Sequence, residues 1–124
     1  MSVTEAVENY LETILVLSKT HSEIHAIDIC SELGFSRPTV SEMLKQLKGM
    51  GFVSVDDMNH IRLTDSGISV AERILERHTV IASMLISLGV DEKNAYADAC
   101  KIEHDISDIS FECIKKHYSE KEKQ

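Results

Sequence analysis

Aromatic residues are scarce in this chain, and their scarcity narrows the fold. The 124 residues include no tryptophan, three tyrosines and three phenylalanines, although 43% of the residues are hydrophobic. A chain with this hydrophobic fraction is not disordered, so aliphatic side chains must fill its core. We therefore expect a mainly helical protein rather than a β-sandwich.

Long apolar runs and secretion signals are also missing. No apolar stretch approaches the roughly 18 residues that a membrane-spanning helix needs. The first residues, Met1 to Glu5, lack the basic and apolar regions of a signal peptide. We therefore expect a cytoplasmic protein with no membrane partner. The cysteines, Cys30, Cys100 and Cys113, are odd in number, so we expect thiols in a reducing compartment.

Basic residues are outnumbered by acidic ones. The chain has 13 lysines and arginines against 21 aspartates and glutamates, a net charge of −8 at pH 7. This balance taken alone argues against a nucleic-acid partner, because phosphates require cations. A locally basic face can nevertheless bind DNA on an acidic protein, and surplus carboxylates can bind metal ions. Net charge alone therefore does not exclude DNA binding or metal binding, and local sequence motifs are needed to distinguish them.

Three helices are predicted in the first half of the chain. Apolar residues at helical spacing place one helix over 3–18 and a short second helix over 24–33, with Ile27 among its inward residues. Gly34 supplies the left-handed residue that ends a helix, and Ser36 caps the next one. Two short helices joined by a tight glycine turn form a helix-turn-helix.

A β-hairpin is predicted directly after the helix-turn-helix. β-branched residues indicate strands over 52–55 and 61–63, separated by a polar turn. This arrangement is the wing of a winged helix. The turn contains Asp56 and Asp57, whose negative charges disfavour a phosphate contact, so we expect His60 or Arg62 to contact DNA rather than these acids.

The second half of the chain is helical throughout. Thr64 is predicted to cap a long helix that runs to about residue 88, and helices over 91–104 and 105–118 follow. The fold class is therefore mainly α. We expect a winged helix-turn-helix DNA-binding domain over 1–64 and a second, helical domain over 65–124.

The helix after Ser36 has the properties of a DNA recognition helix. Residues 36–50 carry three cations and one anion, so this segment is basic within an acidic chain. Arginine can contact phosphate or guanine, and hydroxyl groups suit phosphates or bases. The predicted DNA contacts are Ser36, Arg37, Pro38, Thr39, Ser41, Glu42, Lys45 and Lys48 on the helix and Arg62 on the wing. The alternative is a winged-helix scaffold that packs against a partner protein.

Cys100, Glu103 and His104 form the sharpest local motif. At positions i, i+3 and i+4 of a helix, a thiol, a carboxylate and an imidazole share one face. All three groups are ligands of first-row transition metals. The motif therefore predicts a metal site on this helix.

Three further residues are candidate ligands. Asn9 and Glu12 are three positions apart on the first helix, and His78 lies among apolar residues of the long helix. Each also has an ordinary structural interpretation: Glu12 on a solvated face, His78 as a hydrogen-bonded core residue, and Cys100 as a small buried hydrophobe.

Five segments together resemble the diphtheria toxin repressor family of iron- and manganese-dependent repressors. They are ENYLETI at 8–14, SRPTVS at 36–41, LTDSG at 63–67, Arg77-His78, and DACKIEH at 98–104. Each segment alone is weak evidence, but their order along nearly the whole chain is specific.

The resemblance implies a homodimer that binds a palindromic double-stranded DNA operator. It also implies a divalent transition metal, Fe(II) or Mn(II), as corepressor, a metal-binding and dimerisation role for the second domain, and metal-uptake genes as targets. The implied metal ligands are Asn9, Glu12, His78, Cys100, Glu103 and His104.

The ligand set mixes the two branches of that family. Cys100 stands where the iron branch has cysteine and the manganese branch has glutamate, and Asn9 stands where those branches have methionine and aspartate. A thiolate favours iron, cobalt, nickel or zinc over manganese. The iron branch's second site uses residues near Ala82 and Tyr96, neither of which can supply that site's carboxylate and imidazole, and Asn9 is neutral. We therefore expect one well-formed site per subunit, with a weaker second site as the alternative.

Two other functions remain open at this point. Cys100 alone would suit a thiol-based redox regulator that binds DNA without metal. A thiol, a carboxylate and an imidazole can also hold a catalytic zinc, which would make the chain a hydrolase. No nucleophile–base pair or glycine-rich loop accompanies the motif, so we expect a regulator rather than an enzyme.

Overall fold

The computed structural model describes residues 3–122, with side chains as far as residue 120. The elements in chain order are α1 (Glu5–Ser18), α2 (Ala26–Leu33), α3 (Arg37–Gly49), β1 (Val53–Val55), β2 (Ile61–Leu63), α4 (Asp65–Ser87), α5 (Glu92–Asp105) and α6 (Asp108–Glu122). The two strands form an antiparallel hairpin. The predicted mainly helical fold with a winged helix-turn-helix is confirmed. None of the described helices is both long and apolar enough to cross a bilayer.

The chain forms two compact units, one ending at Glu72 and the other beginning at Arg73, so α4 contributes to both. In the first unit, α1, α2, α3 and the wing enclose one aliphatic core. Its fully buried side chains include Leu11, Ile14, Ile29, Val40 and Leu47. This core fixes α3 and the wing on one scaffold.

Local capping sets the ends of these helices. Thr4 accepts a hydrogen bond from the Val7 amide at the start of α1, and Ser36 accepts one from the Thr39 amide at the start of α3. Gly34 ends α2 with φ of 72°, a left-handed conformation that favours glycine. The predicted caps are therefore present.

The start of α4 is held closely against the turn before the wing. The Thr64 hydroxyl donates to the Gly51 carbonyl at 2.6 Å and accepts from the Gly67 amide at 3.2 Å. A Cβ atom at Gly67 would lie 2.1 Å from the Phe52 carbonyl oxygen. Only glycine allows this close approach, so Gly67 fixes the beginning of α4 against the turn before β1.

The second unit is built from the rest of α4 with α5 and α6. Its small core contains Ile81, Ala82, Ala99 and Phe111. α5 begins at an N-cap, Asp91, whose carboxylate accepts from the Asn94 amide at 3.1 Å and from the Asn94 side chain at 2.7 Å.

Among the details that differ from the sequence prediction, two concern the buried face of α2 and the start of the last helix. Ile27, expected to face inward, is 51% exposed, because Ile29 and Cys30 take the buried face of α2. The last helix begins at Asp108 rather than residue 105, because Ile106 is extended and Ser107 accepts a hydrogen bond from the Ser110 amide.

The N-cap of α5 leads to a prediction about pH. Hydrogen bonds from the Asn94 side chain and backbone lower the pKa of Asp91 from its usual value. A carboxyl whose pKa is lower in the folded than in the unfolded protein stabilises the fold above its unfolded pKa, and this contribution is lost as the pH falls through the folded pKa. We expect Asp91→Ala to lower Tm at neutral pH and to reduce the further loss of Tm below about pH 4.

The matched control is Asp91→Asn, which keeps a capping oxygen but removes the charge. It should retain more of the neutral-pH Tm than alanine and show the same reduced loss in acid. Melting curves recorded by circular dichroism from pH 7 to strongly acidic buffer test this; identical Tm profiles for all three proteins would contradict the capping role.

Candidate metal centre and DNA-reading surface

α4 and α5 bring three different donor groups together in the second unit. Within the described residues, His78, Cys100 and Glu103 form the one group of histidine, cysteine or acidic side chains whose ligand atoms all lie within 4.8 Å of one another. Nδ1 of His78 lies 2.8 Å from Oε2 of Glu103 and 3.7 Å from Sγ of Cys100. Nδ1 is therefore the imidazole nitrogen that faces both other donors.

The burial of these groups is suited to a cation. The Glu103 side chain is 1% exposed, and its Oε1 makes no hydrogen bond within the described residues, although the His104 ring lies 3.3 Å from it. Burying a carboxylate costs several kcal/mol unless an opposite charge compensates it. Cys100 is exposed and the His78 side chain is 18% exposed, so an ion can reach the cluster. Nitrogen, sulfur and oxygen donors together fit a first-row transition metal.

His104 lies on the other side of the Glu103 carboxylate. Its side chain is 2% exposed, and Nε2 lies 3.3 Å from Oε1 of Glu103. Glu103 thus directs one oxygen toward His78 and the other toward His104. His104 is outside the three-residue cluster, so its role as a direct ligand stays a prediction.

Tyr96 also lies beside the metal cluster, and its contact with His78 was not predicted from the sequence. Its ring stacks on the His78 imidazole, with centroids 5.7 Å apart and planes 25° apart. Tyr96 lies one turn before Cys100 on α5, and this i, i+4 spacing is the signal that points to the same face. The stacking restricts rotation of the imidazole and so favours the orientation in which Nδ1 faces the other donors.

The two remaining predicted ligands lie on α1, in the first unit. Asn9 is exposed and Glu12 is half-buried. Their assignment to the metal site stays a prediction.

A basic cleft lies between α3 and the wing in the first unit. It measures about 580 Å³, and Arg37, Ser41, Lys45 and Lys48 line its α3 side. These residues are spaced by four, four and three positions, so they share one helical face. The residues lining the cleft include three lysine or arginine side chains and no acidic ones. The cleft therefore concentrates positive charge on an acidic protein.

The other predicted DNA contacts lie elsewhere on the unit. Pro38, Thr39 and Glu42 line a different face of α3, beside Tyr10. Ser36 is exposed as the α3 N-cap. Arg62 lines a pocket with residues of the α1–α2 connection, including His21 and Glu23. The structure therefore brings together Arg37, Ser41, Lys45 and Lys48 and separates the rest from them.

The wing uses its acidic residue to build its turn. Asp56 accepts hydrogen bonds from the Met58 and His60 amides, both at 2.9 Å. The His60 amide is the main cause of a lowered pKa for Asp56. The His60 ring lies between Asp56, at 3.1 Å, and Glu23, at 3.3 Å, and its side chain is 16% exposed. His60 therefore holds the wing, and exposed Arg62 remains its predicted DNA contact.

The cleft also has lining residues that sequence reasoning missed. His25 at the start of α2 and Met58 and Asn59 at the wing tip line it. Asn59 has φ of 64°, and asparagine at a polar turn is the signal that places it at the tip. The wing tip thus adds polar atoms to the basic cleft.

A winged-helix unit with a basic cleft, joined to a helical unit with a mixed-donor metal cluster, defines a metal-responsive DNA-binding protein. Comparison with known protein families supports this assignment to a class of protein. Residues 2–61 match the iron dependent repressor N-terminal DNA binding domain, and residues 64–123 match the iron dependent repressor metal binding and dimerisation domain. The chain belongs to the iron-dependent repressor family and is a metal-dependent transcriptional regulator, not an enzyme. The hydrolase alternative is therefore wrong.

Relatives and solved structures are similar over most of this chain. An HTH-type transcriptional regulator of Methanocaldococcus jannaschii is 35% identical over 115 residues, covering 91% of this chain and 92% of the relative. The transcriptional regulator MntR of Salmonella typhimurium is 35% identical over 110 residues, covering 89% and 70%. The manganese regulator SloR has a similar structure, with a TM-score of 0.81 at 28% identity, covering 96% of this chain and 55% of SloR. The chain thus spans about half the length of that solved structure.

Proposed function

We propose that the chain is a cytoplasmic, homodimeric repressor of metal-uptake genes that binds a palindromic operator when a divalent metal occupies the site at His78, Cys100 and Glu103. The convergence of nitrogen, sulfur and oxygen donors from α4 and α5 within 4.8 Å carries this proposal. The basic cleft beside α3 supplies the DNA-binding surface.

Fe(II) and Mn(II) are the two candidate corepressors. SloR is a manganese regulator, which favours Mn(II). The thiol of Cys100 favours Fe(II), because Mn(II) prefers oxygen ligands and binds thiolates weakly. We propose Fe(II) as the first candidate, because the Cys100 thiol is a feature of this chain, whereas manganese is named only for a relative.

The proposed ligand set extends beyond the observed cluster. His104 contacts Glu103 and is the next candidate ligand, and Asn9 and Glu12 remain proposed ligands from α1. We also propose that the DNA-binding domain covers 1–64 and the metal-binding and dimerisation domain covers 65–124, because Thr64 caps α4 at that point.

α4 supports a coupling between metal and DNA. The beginning of α4 is bound to the turn before the wing through Thr64 and Gly67, and the same helix carries His78. We propose that metal bound to His78 and α5 orders α4 and so couples the metal site to the DNA-reading unit. Tight operator binding requires two recognition helices about 34 Å apart. Coupling of this kind is reciprocal, so operator DNA must raise metal affinity equally.

Dimer formation can be tested on the second unit, where Ile109 is 79% and Leu88 68% exposed. Exposed apolar side chains of this size suit burial between copies of the chain. We expect a dimer at micromolar concentration, and we expect Ile109→Lys to raise its dissociation constant at least about tenfold, or 1.4 kcal/mol.

Sedimentation velocity measures the dissociation constant of the dimer, and Val16→Lys is the matched control. Val16 is a 41% exposed residue of the first unit, so its substitution should leave the dimer intact. A monomeric wild-type protein in the presence and absence of metal would contradict the proposed assembly.

The proposed function is tested by selection from a pool of random DNA duplexes under anaerobic conditions. With Fe(II), the protein should enrich a palindromic sequence; with a chelator, it should enrich none. Equal enrichment of one palindrome by the reduced, metal-free protein would favour the redox regulator. No enrichment under any condition would favour the scaffold alternative.

A further inference from the structure

Arg77 is a buried cation whose contacts lead to the metal cluster. It is 4% exposed, and its guanidinium stacks over Phe111, 5.3 Å from the ring centroid. One guanidinium nitrogen donates to the backbone carbonyls of Glu103 at 3.1 Å and Ile106 at 2.9 Å. The other pairs with the Asp108 carboxylate. A single side chain of α4 thus binds the end of α5 and the start of α6.

These contacts provide hydrogen-bond donors for backbone carbonyls at the C-terminal end of α5. The last four carbonyls of a helix lack partners within the helix. α5 ends at Asp105, so the Glu103 carbonyl is one of these four, and Arg77 provides its donor. Ile106 is extended, and its carbonyl is bound by the same nitrogen. Arg77 therefore fixes the backbone of the turn that carries Glu103 and His104.

The same two helices are joined again by the metal-binding side chains. Arg77 precedes His78 in α4, and while Arg77 binds the Glu103 carbonyl, His78 Nδ1 lies 2.8 Å from the Glu103 carboxylate. Metal sites tolerate ligand distances only within about 0.2 Å. A shift of α5 along α4 would move Glu103 and Cys100 together away from His78.

We propose that Arg77 is the positioning residue of the metal site, which it serves by holding the Glu103 backbone so that Glu103 and Cys100 meet His78. This inference rests on the proposed metal site. Within the described residues, the hydrogen bonds of Arg77 toward the end of α5 go to the backbone carbonyls of Glu103 and Ile106 and not to a metal-binding side-chain atom. Its effect on metal binding must therefore pass through the geometry of α5.

A second ion pair provides a matched control. Lys115 of α6 lies 2.7 Å from Glu76 of α4, so this pair also joins α4 to another helix of the unit. Neither residue belongs to the metal cluster. Breaking it tests whether any loss of helix–helix contact disturbs the metal site.

The experiment is an anaerobic Co(II) titration of the full chain as wild type, Arg77→Lys, Arg77→Met and Glu76→Gln. Absorption in the sulfur-to-cobalt and d–d regions reports the geometry of the site, and Tm reports stability. We expect Arg77→Met to weaken Co(II) binding about 10- to 100-fold, as loss of a supporting residue does, and to alter the spectrum even at saturation. Arg77→Lys should be intermediate, because an ammonium lacks the planar fork that binds several acceptors at once. Glu76→Gln should match wild type.

The outcomes separate this inference from the proposed function. Folded Arg77 variants with wild-type Co(II) affinity and spectrum would overturn the inference, because Arg77 would then serve stability alone. If Arg77→Met does not fold, Arg77→Lys decides by the same two measurements. Wild-type protein without a sulfur-to-cobalt band would instead overturn the proposed site itself. Equal weakening by Glu76→Gln would also overturn the specific role of Arg77.

Discussion

Replacement of Cys100 by serine is expected to abolish the sulfur-to-cobalt charge-transfer band and to weaken metal binding by more than about 100-fold, the upper end for supporting residues. Cys100 Sγ lies 3.7 Å from the His78 nitrogen that also faces Glu103. Serine cannot supply a soft, anionic donor at neutral pH, so the site would lose both charge and ligand strength. The measurement is an anaerobic Co(II) titration followed by absorption spectroscopy, with operator binding measured on the same samples.

The other two cysteines are the controls for this prediction. Cys30 is buried in the core of the first unit, and Cys113 is exposed on α6, outside the metal cluster. Cys30→Ser and Cys113→Ser should keep the wild-type band. If Cys100→Ser also keeps it, together with metal-dependent operator binding, the thiol is a packing residue and the metal lies elsewhere.

Substitution of Arg37 by alanine should weaken operator binding about 10- to 100-fold, the range expected for loss of one arginine contact to a base. Arg37 begins α3 and lines the basic cleft with Lys45 and Lys48. Because Arg37 lies in the first unit and the metal cluster in the second, Co(II) affinity of the free protein should not change. Fluorescence anisotropy at several salt concentrations measures the effect, and a slope lower by about one would indicate a phosphate contact.

Lys93→Ala is the matched control for charge. Lys93 is exposed on α5, so its removal changes the net charge equally without touching the cleft, and operator affinity should change little. The contradicting outcome is unchanged operator affinity in Arg37→Ala together with a large loss of affinity in Arg62→Ala. The principal cation that contacts DNA would then lie on the wing and not on α3.

Local rules accounted for the helix ends that depend on neighbouring residues. Ser36 and Gly34 occupy the predicted cap positions because capping involves hydrogen bonds over three or four residues. The start of α6 could not be predicted in this way. Ile106 is extended there, and its carbonyl binds Arg77 from α4, 29 positions earlier. A contact between residues so far apart in the sequence has no local signal. Helical spacing alone therefore placed the start of the last helix at residue 105, three residues before Asp108.

The metal site shows the same limit. Helical spacing predicted that Cys100 and Glu103 share a face, and the structure places their donor atoms together with His78. Spacing could not show that Tyr96 stacks on His78 or that Arg77 binds the Glu103 carbonyl. Those contacts cross between helices and depend on how α4 and α5 pack. Sequence thus predicts ligand types, whereas the residues that hold them in place require the tertiary structure.

Metal bound at His78, Cys100 and Glu103 is proposed to control DNA binding. The most direct test is operator binding measured by anisotropy under anaerobic conditions, with Fe(II) and Mn(II) titrated separately into wild type and Cys100→Ser. We expect weak operator binding in chelator, a large gain for wild type that occurs at lower Fe(II) than Mn(II) concentration, and little gain for Cys100→Ser with Fe(II). Wild-type affinity that is the same in chelator as in either metal would contradict it.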